Sequence, residues 1–155
     1  MRPIVRFFSY FFYETIVVLG DESRLNIGEK CGLANTMFNL SSGKIDVGDQ
    51  TIFSHNVMVI TGRHLFKDGM RASLNPQHAG KDLGIGGGDI EVPDNGYDIR
   101  IGTGCWICAG AIISGNVNIG NNVLVAANAV VTKDLPDYSI AAGVPAKIIG
   151  DTRNL

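Results

Sequence analysis

Between Ile101 and Pro136 an aliphatic residue returns at every sixth position. The hexads read IGTGCW, ICAGAI, ISGNVN, IGNNVL, VAANAV and VTKDLP. Their first residues are Ile101, Ile107, Ile113, Ile119, Val125 and Val131. Their fifth residues are Cys105, Ala111, Val117, Val123, Ala129 and Leu135. An α-helix repeats near ~3.6 and a plain strand near ~2, so neither produces this pattern. A sustained period of six predicts a parallel β-helix. Each hexad supplies one short strand and one corner. The first and fifth side chains point into a prism, and the small second residues (Gly102, Cys108, Ser114, Gly120, Ala126, Thr132) let the backbone turn. Coils stacked ~4.8 Å apart share ladder hydrogen bonds. No coil buries its own face without neighbours.

The same frame recurs upstream in VGDQTI, FSHNVM and VITGRH, beginning at Val47, Phe53 and Val59. From Val59 to Ile101 is 42 residues, seven hexads in length, and most of that interval is expected to leave the prism. An earlier block, IGEKCG and LANTMF, starts at Ile27 and Leu33, two residues out of phase with Val47. The polar turn Ser41-Ser42-Gly43-Lys44 is the expected place for the slip, because Ser and Gly relax the backbone. The expected organisation is one all-β domain: a cap over 1–26, a β-helix over 27–149 with a loop insertion over 65–98, and a tail over 150–155. The glycines of Gly84-Ile85-Gly86-Gly87-Gly88 lack the βαβ surroundings of a dinucleotide fingerprint. A loop of that length is usually functional or mobile.

Glycine makes up 20 of 155 residues, nearly twice the usual ~7%, which suits a chain full of corners. The net charge of −2 gives no electrostatic footprint for nucleic acid. Residues 7–13, FFSYFFY, hold six of the twelve aromatics between Arg6 and Glu14. That run is far short of the ~20 apolar residues of a membrane span. It reads as a cap or a subunit contact, with weak membrane association through 7–13 as the alternative. Cys105 and Cys108 form a C-x-x-C, but the hexad frame explains both as small corner residues, and no second pair completes a zinc site. Three thiols and no clear export signal point to a reducing, cytoplasmic setting.

The run WICAGAIISGNVNIGNNVLVAANAVVTKDLPDYSIAAGVPAKIIG resembles the C-terminal coils of the hexapeptide-repeat acyltransferases, and in particular the galactoside, maltose and polysaccharide O-acetyltransferases. The resemblance covers about 27–150 and is most specific over 101–149. It implies a left-handed parallel β-helix, a homotrimer, and acetyl-CoA as co-substrate, with no metal. The handedness rests on the resemblance alone, since physics by itself favours right-handed crossovers. The implied activity is O-acetylation of a sugar or polysaccharide hydroxyl. The alternatives are N-acylation of an amino-sugar nucleotide and a non-catalytic scaffold subunit.

The resemblance also assigns residues. The family's catalytic His ends a coil just before the chain leaves the prism, and VMVITGRHLFKDG puts His64 there. The chemistry needs such a group: an imidazole, with an ordinary pKa near ~6.5, can take a hydroxyl proton at neutral pH. His55, at an outward third position, reads as solvated, and His78 falls in the long loop. Asp68, Asp82, Asp89, Glu91 and Asp94 all remain open as partners to orient His64. Ala109 and Ala127 match the small residues along which the pantetheine arm lies. Thr132 and Lys133 match a Thr-Lys pair near the adenosine phosphates. Lys147 falls where some relatives carry Arg, and Lys keeps the charge without the bidentate fork. Trp106 matches a packing wall at the subunit groove.

Overall fold

The computed structural model describes residues 15–62, 64, 66–71 and 96–155. The aromatic run 7–13, His78, Asp82, Asp89, Glu91, Asp94 and the glycine-rich 84–88 lie outside them. Strands are numbered in chain order, and three parallel sheets make the faces of a prism. Sheet I stacks β1 (Val17–Leu19), β3 (Met37–Asn39), β6 (Met58–Ile60), β11 (Ile112–Ser114) and β14 (Val130–Val131). Sheet II stacks β2 (Leu25–Ile27), β4 (Ile45–Val47), β9 (Ile99–Ile101) and β12 (Val117–Ile119). Sheet III stacks β5 (Ile52–Phe53), β10 (Trp106–Ile107), β13 (Leu124–Val125) and β15 (Ser139–Ala142), and β16 (Lys147–Asp151) joins its end antiparallel. The chain visits faces I, II and III in turn.

The hexad frame sets the register. Ile101 pairs with Ile119, Ile107 with Val125 and Ile113 with Val131, so a full coil is three hexads. Every first and fifth position from Ile101 to Leu135 is buried. Fully burying a Val or Ile side chain is worth about 1.5–3 kcal/mol, which makes this column the main source of stability. Phe38 and Phe53 meet edge to face at 5.7 Å in the lower coils.

Nearly all irregularity falls at the corner between sheets I and II. In the regular part this corner takes six residues, Ile113 to Ile119. Phe38 pairs with Val59 and Val47 with Ile101, so the lower corner takes nine, from Phe38 to Val47. The stretch from Leu33 to Phe38 is one residue short, since Gly32 bridges Ile52 and Phe38 pairs with Val59. Three gained and one lost give the two-residue slip read from the sequence. The turn at 41–44 takes up the gain, as expected.

The first coil begins earlier than Ile27. β1 pairs with β3 from Val17 to Leu19, and Asp21 caps a 3-10 turn over 22–24 by accepting from the Ser23 amide at 3.0 Å. The start of the expected tail is likewise structural. β16 runs to Asp151, and Thr152 bonds back to the Tyr138 carbonyl through its amide at 2.8 Å. Arg153 holds the Asp151 carboxyl down to about 2 and stacks over Tyr138 at 4.7 Å. Inside the excursion, β7 (Phe66–Lys67) and β8 (Met70–Arg71) pair as a short hairpin. Asp68 and Gly69 turn it with φ of 52° and 78°, the geometry an Asp-Gly type I′ turn requires.

The outer faces differ in character. On sheet II the outward column is Asn26, Asp46, Arg100 and Asn118. Asn26 donates to Asp46 at 2.7 Å, and Arg100 lies 3.9 Å from Asp46. On sheet I one outward column is Val17, Met37, Met58, Ile112 and Val130, and a second, Leu19, Asn39, Ile60 and Ser114, is mixed. On sheet III it is Ile52, Trp106, Leu124 and Ile140. The outside of sheet III and most of that of sheet I are thus apolar, and that of sheet II is polar.

Candidate active site

The residues singled out from the sequence fall at two corners, on opposite edges of sheet I. At the corner between sheets III and I, Ala109 and Ala127 lie exposed one above the other. The Asn128 amide donates to the Ala109 carbonyl at 2.9 Å. His55 continues the column downward, because the Gly110 amide donates to its carbonyl at 2.9 Å. The side chain of His55 is exposed, as its outward position predicted. Its stacking below Ala109 and Ala127 was readable too, since all three are third residues of their hexads. A surface groove of about 660 Å³ at the foot of this column is lined in part by Ala34, Ser54 and His55.

The top of the same corner is closed by the connection from β15 to β16. Val130 donates to the Gly143 carbonyl at 3.0 Å and accepts from the Ala146 amide at 2.8 Å. Lys147 follows, exposed, at the start of β16. Trp106 stands on the adjoining outer face of sheet III, 52% exposed, with its ring N–H donating to the Ser54 hydroxyl at 3.2 Å. An exposed Trp beside Ile52, itself 53% exposed, is the kind of surface that marks an interface.

The other group sits at the corner between sheets I and II. His64 is exposed, four residues beyond the end of β6. Thr132 and Lys133 are exposed immediately after β14, two coils above the His64 exit. Of the carboxylates left open as partners for His64, Asp68 is the described one, and it occupies the hairpin turn. One chain therefore does not gather His64 with Ala109, Ala127 and Lys147. A second groove of about 720 Å³ runs along sheet II past Asp46, Arg100 and Asn118; it contains none of the sequence-predicted residues.

The cysteines behave as corner residues. Cys105 is buried, and its thiol faces the Gly120 carbonyl at 3.1 Å. Burial pushes the Cys105 and Cys108 thiols above their ordinary value. The folded chain holds the Cys105 proton more tightly than the unfolded chain. Stability should therefore fall as pH rises past the ordinary thiol value of ~8.5. Native protein treated with iodoacetamide at neutral pH should label Cys105 slowest of the three thiols, with full reaction only on unfolding. Peptide mapping that found Cys105 labelled as fast as Cys31 would contradict its placement. Among the described residues no helix is long and apolar enough to cross a membrane.

Comparison with known proteins finds acetyltransferases of several kinds, serine acetyltransferases among them. The family described as bacterial transferase hexapeptide (six repeats) matches residues 98–133. Galactoside O-acetyltransferase of Escherichia coli (strain K12) is 42% identical over 53 residues, covering 34% of this chain and 26% of that protein. The crystal structure of a maltose O-acetyltransferase from Clostridium difficile 630 superposes with a TM-score of 0.62 at 26% identity. It covers 89% of this chain and 67% of that one. A galactoside acetyltransferase solved in complex with coenzyme A has a TM-score of 0.61 at 21% identity, over 98% of this chain and 74% of that one, a likeness of fold. The aligned parts span from 26% to 55% of the length of the first curated relatives. These structures give the prism its hand: it is a left-handed parallel β-helix.

Proposed function

Because this chain belongs to the hexapeptide-repeat acyltransferases, we propose that it moves an acetyl group from acetyl-CoA to a hydroxyl of a sugar or polysaccharide. The observation that carries the reading is the exposed column of Ala109 and Ala127, which runs beside Trp106 and ends near Lys147. Side chains this small leave a flat wall along which an extended pantetheine arm can lie. Lys147 at one end, with Thr132 and Lys133 brought from the opposite edge of sheet I of a neighbouring chain, supplies donors and positive charge for the phosphates. Lys binds phosphate as a point charge.

His64 is the general base of this proposal. Its imidazole takes the acceptor's hydroxyl proton as the oxygen bonds to the thioester carbon. The carbonyl oxygen becomes a tetrahedral oxyanion, which needs hydrogen-bond donors aimed at it. Collapse breaks the C–S bond, and the departing thiolate takes the proton back from the imidazolium. The products are the acetyl ester and free CoA. The transfer is direct, with both substrates bound together.

A second copy of the chain completes the site. His64 and the Ala109–Ala127 column lie on opposite edges of sheet I, so a groove between two prisms can bring one chain's His64 to its neighbour's column. The mostly apolar outer faces of sheets I and III suit burial between copies, while the polar face of sheet II suits water. Cyclic symmetry then gives three equal grooves. Light scattering is expected to give a trimer; a monomer at working concentration would remove this arrangement.

Calorimetric titration with acetyl-CoA tests the reading without knowing the acceptor. Binding near one site per chain is expected, with turnover on hydroxyl acceptors in a following screen. No binding would leave a scaffold role ahead. Turnover confined to amine acceptors would move the assignment to N-acyl transfer.

A further inference from the structure

Both feet of the 65–98 excursion rest on one residue of the coil below. Where the chain leaves the prism, Thr61 directly follows β6 and is 2% exposed. Its hydroxyl donates to the Asn39 carbonyl at 2.8 Å and accepts from the Ser42 amide at 3.0 Å. Where the chain returns, the Tyr97 amide donates to the Ser42 carbonyl at 3.3 Å. The two backbone groups of Ser42 therefore tie the exit to the re-entry.

The neighbours of Ser42 reinforce the tie. The Lys44 amide donates to the Asp98 carboxylate at 2.8 Å, and the Ile99 amide donates to the Lys44 carbonyl at 2.9 Å. Gly43 lies so close to the returning chain that a Cβ there would stand 2.7 Å from the Tyr97 carbonyl carbon. Ser42 itself is fully buried, and among the described residues its hydroxyl has no hydrogen-bond partner. Only the backbone of Ser42 carries the link.

His64 stands three residues beyond Thr61. The direction in which the chain leaves Thr61 fixes where His64 begins, and misplacing a reacting group by ~1 Å can cost about 100-fold in rate. We infer that the Thr61 hydroxyl, through Ser42, is a positioning device for His64, an inference that rests on the transferase reading above. Thr61 touches neither substrate in this scheme. It acts by holding the exit strand against the turn at 41–44.

The test compares Thr61→Val, Thr61→Ser and His64→Ala in the whole chain. Val has nearly the shape of Thr but cannot accept from Ser42, whereas Ser keeps the hydroxyl. The readouts are kcat, acetyl-CoA affinity by calorimetry, and hydrogen exchange at the Ser42 amide. Thr61→Val should lower kcat by about tenfold to 100-fold, leave acetyl-CoA affinity unchanged and speed exchange at Ser42. Thr61→Ser should restore both kcat and protection. Should Thr61→Val fail to fold, Gly43→Ala presses on Tyr97 from the re-entry side and should lower kcat in the same way. Wild-type kcat in Thr61→Val, with Ser42 exchange accelerated and His64→Ala inactive, would overturn the inference alone. Full activity in His64→Ala would instead remove His64 as the base on which the inference stands, and no acetyl-CoA binding by the wild type would overturn the transferase reading itself.

Discussion

Replacing His64 by Ala should lower kcat by about 10²- to 10⁴-fold, the usual contribution of a positioned general base. The same variant should bind acetyl-CoA within about twofold of wild type, since an interaction made only in the transition state lowers kcat without changing ground-state affinity. The split between the two quantities is what identifies the role. His55 provides the internal contrast. It lies in the column of Ala109 and Ala127 at the other edge of sheet I, along the proposed cofactor wall. His55→Ala should therefore act mainly on acetyl-CoA affinity and leave kcat at saturation close to wild type. Steady-state kinetics and calorimetry on the two variants decide between them. If His55→Ala loses turnover while His64→Ala keeps it, the base has been assigned to the wrong edge of the sheet.

That contrast also marks what the sequence could and could not reveal. From Ile101 to Leu135 each corner is local and of fixed length, so a residue's phase alone states whether it points inward. Cys105 shows the strength of this. Its C-x-x-C spacing suggested chemistry, but its fifth-position phase placed it inside, where it is found. The lower coils resist the same reading because corner I–II varies in length. Phe38 is as central to the core as Ile113, yet the frame reaches it only after three residues are gained at 41–44 and one is lost before it. A corner that faces solvent can lengthen without disturbing the stacked strands, so nothing in the hydrophobic pattern limits its length. The hairpin at 66–71 was legible in principle, since Asp68-Gly69 is a strong turn signal that the loop reading passed over. The gathering of site residues was not legible, because phase describes one prism and the proposed site lies between two.

The largest structural effect is expected where two coils meet with no space for a side chain. A Cβ on Gly102 would stand 2.5 Å from the Gly120 carbonyl oxygen, 2.6 Å from its carbon and 2.7 Å from the Asn121 side chain. Two of these neighbours are backbone, so they cannot swing aside. Gly102→Ala must open the coil spacing, which strains the bonds from Gly102 to the Ile119 carbonyl at 2.8 Å and from Thr103 to Asn121 at 2.9 Å. Overpacking of this kind costs about 1–3 kcal/mol, and each weakened hydrogen bond adds about 1 kcal/mol. A total near ~3 kcal/mol corresponds to a fall in Tm of about 6–12 °C.

Two other glycines separate this cause from simple backbone strain. Gly115 has φ of 91°, but a Cβ there would meet nothing within 4 Å, so Gly115→Ala should cost only the left-handed penalty of about 1–2 kcal/mol. Gly32 has ordinary φ, and its nearest contact would be Ile52 at 3.7 Å. Gly32→Ala should be neutral or stabilising by about 0.4–1 kcal/mol, because Ala restricts the unfolded chain. The expected order of stability loss is Gly102, then Gly115, then Gly32. Thermal unfolding of the three variants tests it, and a Gly102→Ala protein no less stable than Gly115→Ala would show that the coils are not in fixed contact. Fixed contact matters for function as well as stability. Ala109 and Ala127 stand one coil apart, as Gly102 and Gly120 do, so whatever widens the spacing at one corner also stretches the proposed cofactor wall at the next.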